Sequence, residues 1–196
     1  TEAGIDIPRI DYLTEIGKAK ELQKPSLLLE PQSTNKFIRS EDFSNSYWSK
    51  TNCTVQQSTI TSPDGSQSSY KLIPDAGTGG NRSLGRSLTS LSNFHTFSVF
   101  ARAGEYKYAI LRTRNSPNVI VSFDLENGTF NVTQSNAVYV ADSAKMENYG
   151  NGWYRCSITL DPIQANTVGQ LFSSVSVGVT GNEINNFDGD GTSGIY

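Results

Sequence analysis

The dipeptide Asn151-Gly152 constrains this chain more than any other pair of neighbours. Asn and Gly accept the positive φ of a tight primed turn at little steric cost, so the pair marks the tip of a β-hairpin. Residues 137–149 and the run from Gly152 to Leu160 are its expected arms. After the turn Trp153, Arg155, Ser157 and Thr159 fall on one face, and Tyr154, Cys156, Ile158 and Leu160 on the other, because β side chains alternate with a period of two. The second set is the core face. Trp153 begins the first set, where two roles are open to it: capping the end of a core, or lying exposed as a ligand platform.

The same signature recurs along the chain. Residues 53–57 and 68–73 read as strands separated by the turn Ser62-Pro63-Asp64-Gly65, with Pro fixing φ and Gly supplying the permissive position. Residues 94–103 and 106–114 form an expected hairpin about Gly104-Glu105, and 118–125 and 128–132 another about Glu126-Asn127-Gly128. Residues 170–179 alternate with Leu171, Ser173, Val175, Val177 and Val179 on one face. Many short strands with turns between them and no interior helix predict an all-β, antiparallel β-sandwich. Periodicity leaves a jelly roll and an immunoglobulin-like sandwich both open.

Residues 1–26 read differently, as an N-terminal arm or linker. Lys and Glu cluster between Glu15 and Lys24, and Leu13, Ile16 and Leu22 are spaced for a short helix that Pro25 would stop. Leu27-Leu28-Leu29 is then a brief strand opening a sandwich domain over 27–196.

A formal net charge of -3, with no basic stripe, removes the phosphate attraction that nucleic-acid binding relies on. No apolar run is long enough to insert in a membrane as a helix. The two cysteines, Cys53 and Cys156, lie in apolar-patterned strands and read as buried free thiols. Gly77-Thr78-Gly79-Gly80 lacks the Lys-Ser/Thr ending of a phosphate-cradling loop. Glycoside hydrolysis needs two carboxylates facing each other across a cleft, one with a raised pKa. Here Asp64, Asp75, Glu126, Asp161 and Glu183 lie in turns and no pattern pairs any two, so a non-enzymatic role is expected. Asp188 and Asp190, in Asp188-Gly189-Asp190-Gly191-Thr192, offer oxygens at alternate positions as Ca²⁺ requires, and equally make an ordinary Gly-Asp turn. Sugar recognition calls for flat rings against C–H faces and planar polar groups for hydroxyls. Tyr106, Tyr108, Arg112, Arg114, Trp48 and Trp153 supply both, with core packing the competing role for each ring.

Several ordered motifs are more specific than their physics. They are Pro8-Arg9-Ile10-Asp11-Tyr12, Leu27-Leu28-Leu29-Glu30-Pro31-Gln32-Ser33-Thr34-Asn35, Ser40-Glu41-Asp42-Phe43-Ser44, Ser62-Pro63-Asp64-Gly65, Phe97-Ser98-Val99-Phe100-Ala101-Arg102-Ala103-Gly104-Glu105, Gly150-Asn151-Gly152-Trp153-Tyr154-Arg155 and Gly189-Asp190-Gly191-Thr192-Ser193-Gly194-Ile195-Tyr196. Together they resemble a module of bacteriophage tail-fibre and other virion appendage proteins. The resemblance implies a jelly roll of the carbohydrate-binding type, extracellular on the virion. Its expected partners are host-surface polysaccharide, other virion proteins and further copies of itself, and a structural Ca²⁺ is the one cofactor it suggests. A purely structural decoration domain and a glycan depolymerase are the alternatives. Relatives run on through a further strand, so the domain is expected to lack its final strand. Gly194 to Tyr196 should then pair as a stub beside an early strand, near Leu27 to Leu29, or belong to a longer polypeptide.

Overall fold

A computed structural model describes residues 10–11, 26–27, 34–77, 80–113, 118–165, 169–179 and 187–196. The chain divides into two compact units, Thr1–Ile38 and Arg39–Tyr196. In the first, β1 (Ile10–Asp11) pairs antiparallel with β2 (Ser26–Leu27). The helix expected before Pro25, and Leu28 and Leu29, lie outside the described residues.

The second unit is an antiparallel β-sandwich. Its strands are β3 (Ser49–Thr51), β4 (Cys53–Gln57), β5 (Tyr70–Pro74), β6 (Ser83–Leu88), β7 (His95–Arg102), β8 (Tyr108–Thr113), β9 (Val119–Asp124), β10 (Thr129–Gln134), β11 (Lys145–Gly150), β12 (Trp153–Leu160) and β13 (Leu171–Gly178). One sheet runs β10-β9-β8-β13-β6-β3. Facing it are the ladders β11-β12-β7 and β4-β5. Leu84 and Val175 of the first sheet and Leu72, Val99 and Ala101 of the second wall the same apolar gap of about 40 Å³, which places one shared core between the layers.

The hairpin at Asn151-Gly152 forms as expected, with φ of 50° and 79° at the two turn residues and β11 and β12 in antiparallel register on either side. Cys156, Ile158 and Leu160 are buried on the predicted core face. Asn151→Ala should cost about 1 kcal/mol in chemical denaturation, because alanine tolerates positive φ poorly. The β9–β10 hairpin also forms, with Gly128 at φ 69°.

The hairpin expected about Gly104-Glu105 does not form. β7 pairs with β12, whereas β8 pairs with β9 and β13 in the other sheet, so residues 103–107 cross between layers. What holds this crossover is the far end of the chain. The backbone oxygen of Gly194 accepts from Tyr106 N at 3.2 Å, and the Glu105 carboxylate accepts from Gly194 N at 3.0 Å.

Gly194 to Tyr196 in turn closes the second sheet. Ile195 exchanges both backbone hydrogen bonds with Leu72, at 2.8 and 3.2 Å, and Tyr196 exchanges both with Arg102, at 2.7 and 2.9 Å. Alternate residues bonding to opposite edges is the mark of an interior strand. The sheet therefore reads β4-β5-(194–196)-β7-β12-β11. The stub pairs with Leu72 and Arg102, not near Leu27, whose partner is Ile10.

Cys53 and Cys156 are free and buried, and desolvation pushes their thiols up to about 11 and about 12. Such thiols stay protonated and unreactive at neutral pH.

Candidate functional site

The outward face of the second sheet carries an aromatic groove of about 390 Å³. Its floor follows from alternation in β7. Phe97, Val99 and Ala101 turn to the core, which leaves Phe100 on the outer face with Thr96, Ser98 and Arg102. Across the ladder, Trp153 stands opposite Arg102 and Arg155 opposite Phe100.

A bulge supplies the second exposed ring. Asn148 is registered with Tyr154 and Gly150 with Trp153, so Tyr149 is the extra residue between them. Bulges re-aim the inserted side chain. Here it puts the Tyr149 ring 4.9 Å from that of Phe100, at 85°. Tyr149 is 52% and Phe100 41% exposed, so the two rings form an open corner: a flat ligand can stack on one and abut the other.

Two loops wall this floor. In residues 39–48, the Asp42 carboxylate accepts from Ser44 Oγ (2.6 Å) and Asn45 N (3.2 Å), a local turn that holds it below the usual carboxylate range, with the Ser44 bond the leading cause. Trp48 is the pillar of this loop: its indole N–H donates to Arg39 O at 2.9 Å, and its ring lies against Phe43 and Tyr47. Phe43, braced by Trp48 and edge-on to Tyr70, faces the groove. The other wall is the loop from Ser58 to Ser69, closed by Ser58 N to Ser69 O (2.8 Å) and Ser69 Oγ to Ile60 O (2.6 Å). Trp153 pins it to the sheet through Nε1 to Thr61 O at 2.9 Å. The rim is polar, with Ser40, Glu41, Ser62, Asp64 and Ser68. Asp64 accepts from Ser66 N at 2.9 Å, which lowers its pKa.

Of the residues singled out from sequence, Trp153 is among those lining this groove, but at 4% exposed it packs under the loop and is not the exposed platform that was the other role open to it. The other described candidates are not among its lining residues. Trp48 supports the wall from behind. Tyr106 sits in the crossover with its ring edge-on to Phe187, centroids 5.3 Å apart, and burial leads the rise in its hydroxyl pKa. Tyr108 and Arg112 share a face of β8 in the other sheet. Tyr108 has its pKa raised chiefly by the Asp124 carboxylate, and Arg112 donates to Asn81 Oδ1 at 2.8 Å. Arg114 and Glu183 lie outside the described residues.

Asp188 and Asp190 are not joined by a third carboxylate, histidine or cysteine among the described residues. The Asp190 carboxylate accepts from Thr192 N (2.8 Å), Ser193 N (2.7 Å) and Ser193 Oγ (2.5 Å), a turn whose donors hold it far below the usual range, with Ser193 Oγ first. Among the described residues no three His, Cys, Asp or Glu side chains converge on a point.

Sequence reasoning missed Phe100 and Tyr149. The signal for Phe100 was present in its alternation with Phe97, Val99 and Ala101, which puts a large ring among polar positions. Nothing local marks Tyr149, because the bulge that aims it depends on how β11 registers with β12.

The C-terminal strand beside the groove has an electrostatic latch. Lys71 Nζ bonds to Glu105 at 2.8 Å and to Thr192 O at 2.9 Å, and Lys71, with Gly194 N, lowers the Glu105 pKa. A carboxyl whose folded pKa is depressed contributes stability that is complete above its unfolded pKa of about 4.3 and is lost as pH falls through the folded value. Glu105→Gln should therefore lower Tm at neutral pH, with the gap to wild type closing as melts are repeated toward about pH 3.

No protein-family model matches this chain, and no curated protein does.

Proposed function

We propose that this protein is a non-catalytic module that binds host-surface carbohydrate as part of a phage virion appendage. The observation that carries the binding role is the corner made by Phe100 and Tyr149, two exposed rings at right angles under a rim of hydroxyls and carboxylates. Sugars present C–H faces that stack on rings and hydroxyls that bond to polar rims, and a preformed groove limits the ordering cost of binding. The virion setting, extracellular and among other appendage proteins, rests on the ordered sequence motifs, as does the jelly-roll connection.

Hydrolysis by the groove would fall to Glu41 and Asp64. Asp64, with its pKa lowered, is ionised at neutral pH and cannot be the proton donor. A purely structural role would use an open sheet edge such as β10, where Phe130 is exposed, but the register of β10 slips between Val132 and Gln134 and breaks that edge.

A glycan array probed with folded protein tests the proposal. Reproducible binding to a related group of surface glycans is expected, and silence across the array would overturn it.

A further inference from the structure

We infer that the groove discriminates by charge, favouring glycans with free amines over neutral ones and both over glycans with carboxylates. The inference deepens the carbohydrate-binding reading and rests on it. Its ground is the composition of the rim. Glu41 and Asp64 are both exposed at the groove, and no Lys, Arg or His is among the described residues that line it. A third carboxylate, Asp42, stands just behind, 3.4 Å from the hydroxyl of groove residue Tyr70.

Of the basic groups nearby, Lys71 and Arg155 are engaged elsewhere. Lys71 is tied to Glu105 and Thr192, and reaches Tyr196 only with its Nζ 5.6 Å from the ring centroid. Arg155 is bonded to Glu147 at 3.0 Å. Arg102, between Trp153 and Tyr196 on the sheet, extends over the hairpin turn, where its Nε lies 3.5 Å from where a Cβ on Gly152 would stand.

A ligand seated on Phe100 and Tyr149 thus meets negative charge without a compensating cation among the described lining residues. A ligand charge about 6 Å from these carboxylates changes affinity by roughly ten-fold in either direction at low salt, and by less at physiological ionic strength. Stacking contributes equally to all three sugar classes, so charge sets their order.

Titration calorimetry with β-1,4-linked oligomers of glucosamine, N-acetylglucosamine and glucuronate, at a mildly acidic pH that keeps the amines protonated and the carboxylates ionised, tests this, using wild type and the variant Glu41→Gln/Asp64→Asn. Both substitutions are isosteric and exposed, and Tm checks that the fold is kept. At physiological ionic strength wild type should bind the amine oligomer about ten-fold more tightly than the acid oligomer, with the gap widening at low salt and narrowing in high salt. In the variant the three should converge to within about two-fold of one another. Equal binding of amine and acid oligomers by wild type would overturn the charge rule while leaving the groove a glycan site. So would an order that survives in the variant. Binding of none of the three, on a protein also silent on the array, would remove both readings together.

Discussion

Ile195→Asp should unfold this protein more readily than any other single change near the groove, at a cost on the order of 4 kcal/mol. Ile195 is 3% exposed, faces the core gap with Leu72, Val99 and Val175, and exchanges two backbone hydrogen bonds with Leu72. An aspartate there either carries an unpaired charge into the core or swings out and abandons those bonds. Because the three residues 194–196 join the β4-β5 ladder to β7, the damage spreads along the sheet instead of staying local. For a domain of this size the shift in Tm is roughly 10 °C. Ile195→Val removes one methylene and keeps the strand, so it should cost only about 1 kcal/mol. Thermal melts of the pair decide the matter: equal and small effects would mean that the C-terminal strand is dispensable. Gly194→Ala offers an independent check, since a Cβ at Gly194 would collide with the backbone oxygen of Leu72.

The second large effect is on binding. Phe100→Ala and Tyr149→Ala should each weaken glycan affinity by roughly ten-fold, the worth of about 50 Å² of ring face removed from water. Tm should move little, because both rings are already open to solvent. Tyr106→Ala is the contrasting control. Its ring packs on Phe187 away from the groove, so the fold should weaken while affinity holds. If an Arg112 variant loses binding and the Phe100 and Tyr149 variants do not, the site belongs on β8 and not on the outer face of β7 and β11.

Local chemistry made much of this architecture legible from the residues alone. Asn151-Gly152 and Gly128 demand positive φ, and period-two alternation separates Cys156, Ile158 and Leu160 from their polar neighbours; both signals act within a few residues and need no knowledge of the rest of the chain. The arrangement of strands into sheets is a different kind of fact. Gly104-Glu105 has the residues of a tight turn, yet β7 and β8 part there, because the edge of β7 beside Arg102 is taken by Tyr196 from the far end of the sequence. Backbone edges carry no sequence label, so which edges meet is decided by the whole core at once. The groove inherits that dependence. The residue types for binding a sugar could be read from the chain, but their convergence could not: Tyr149 is aimed by a register slip against β12, Phe43 by a loop propped on Trp48, and Tyr196 by a strand inserted between β5 and β7.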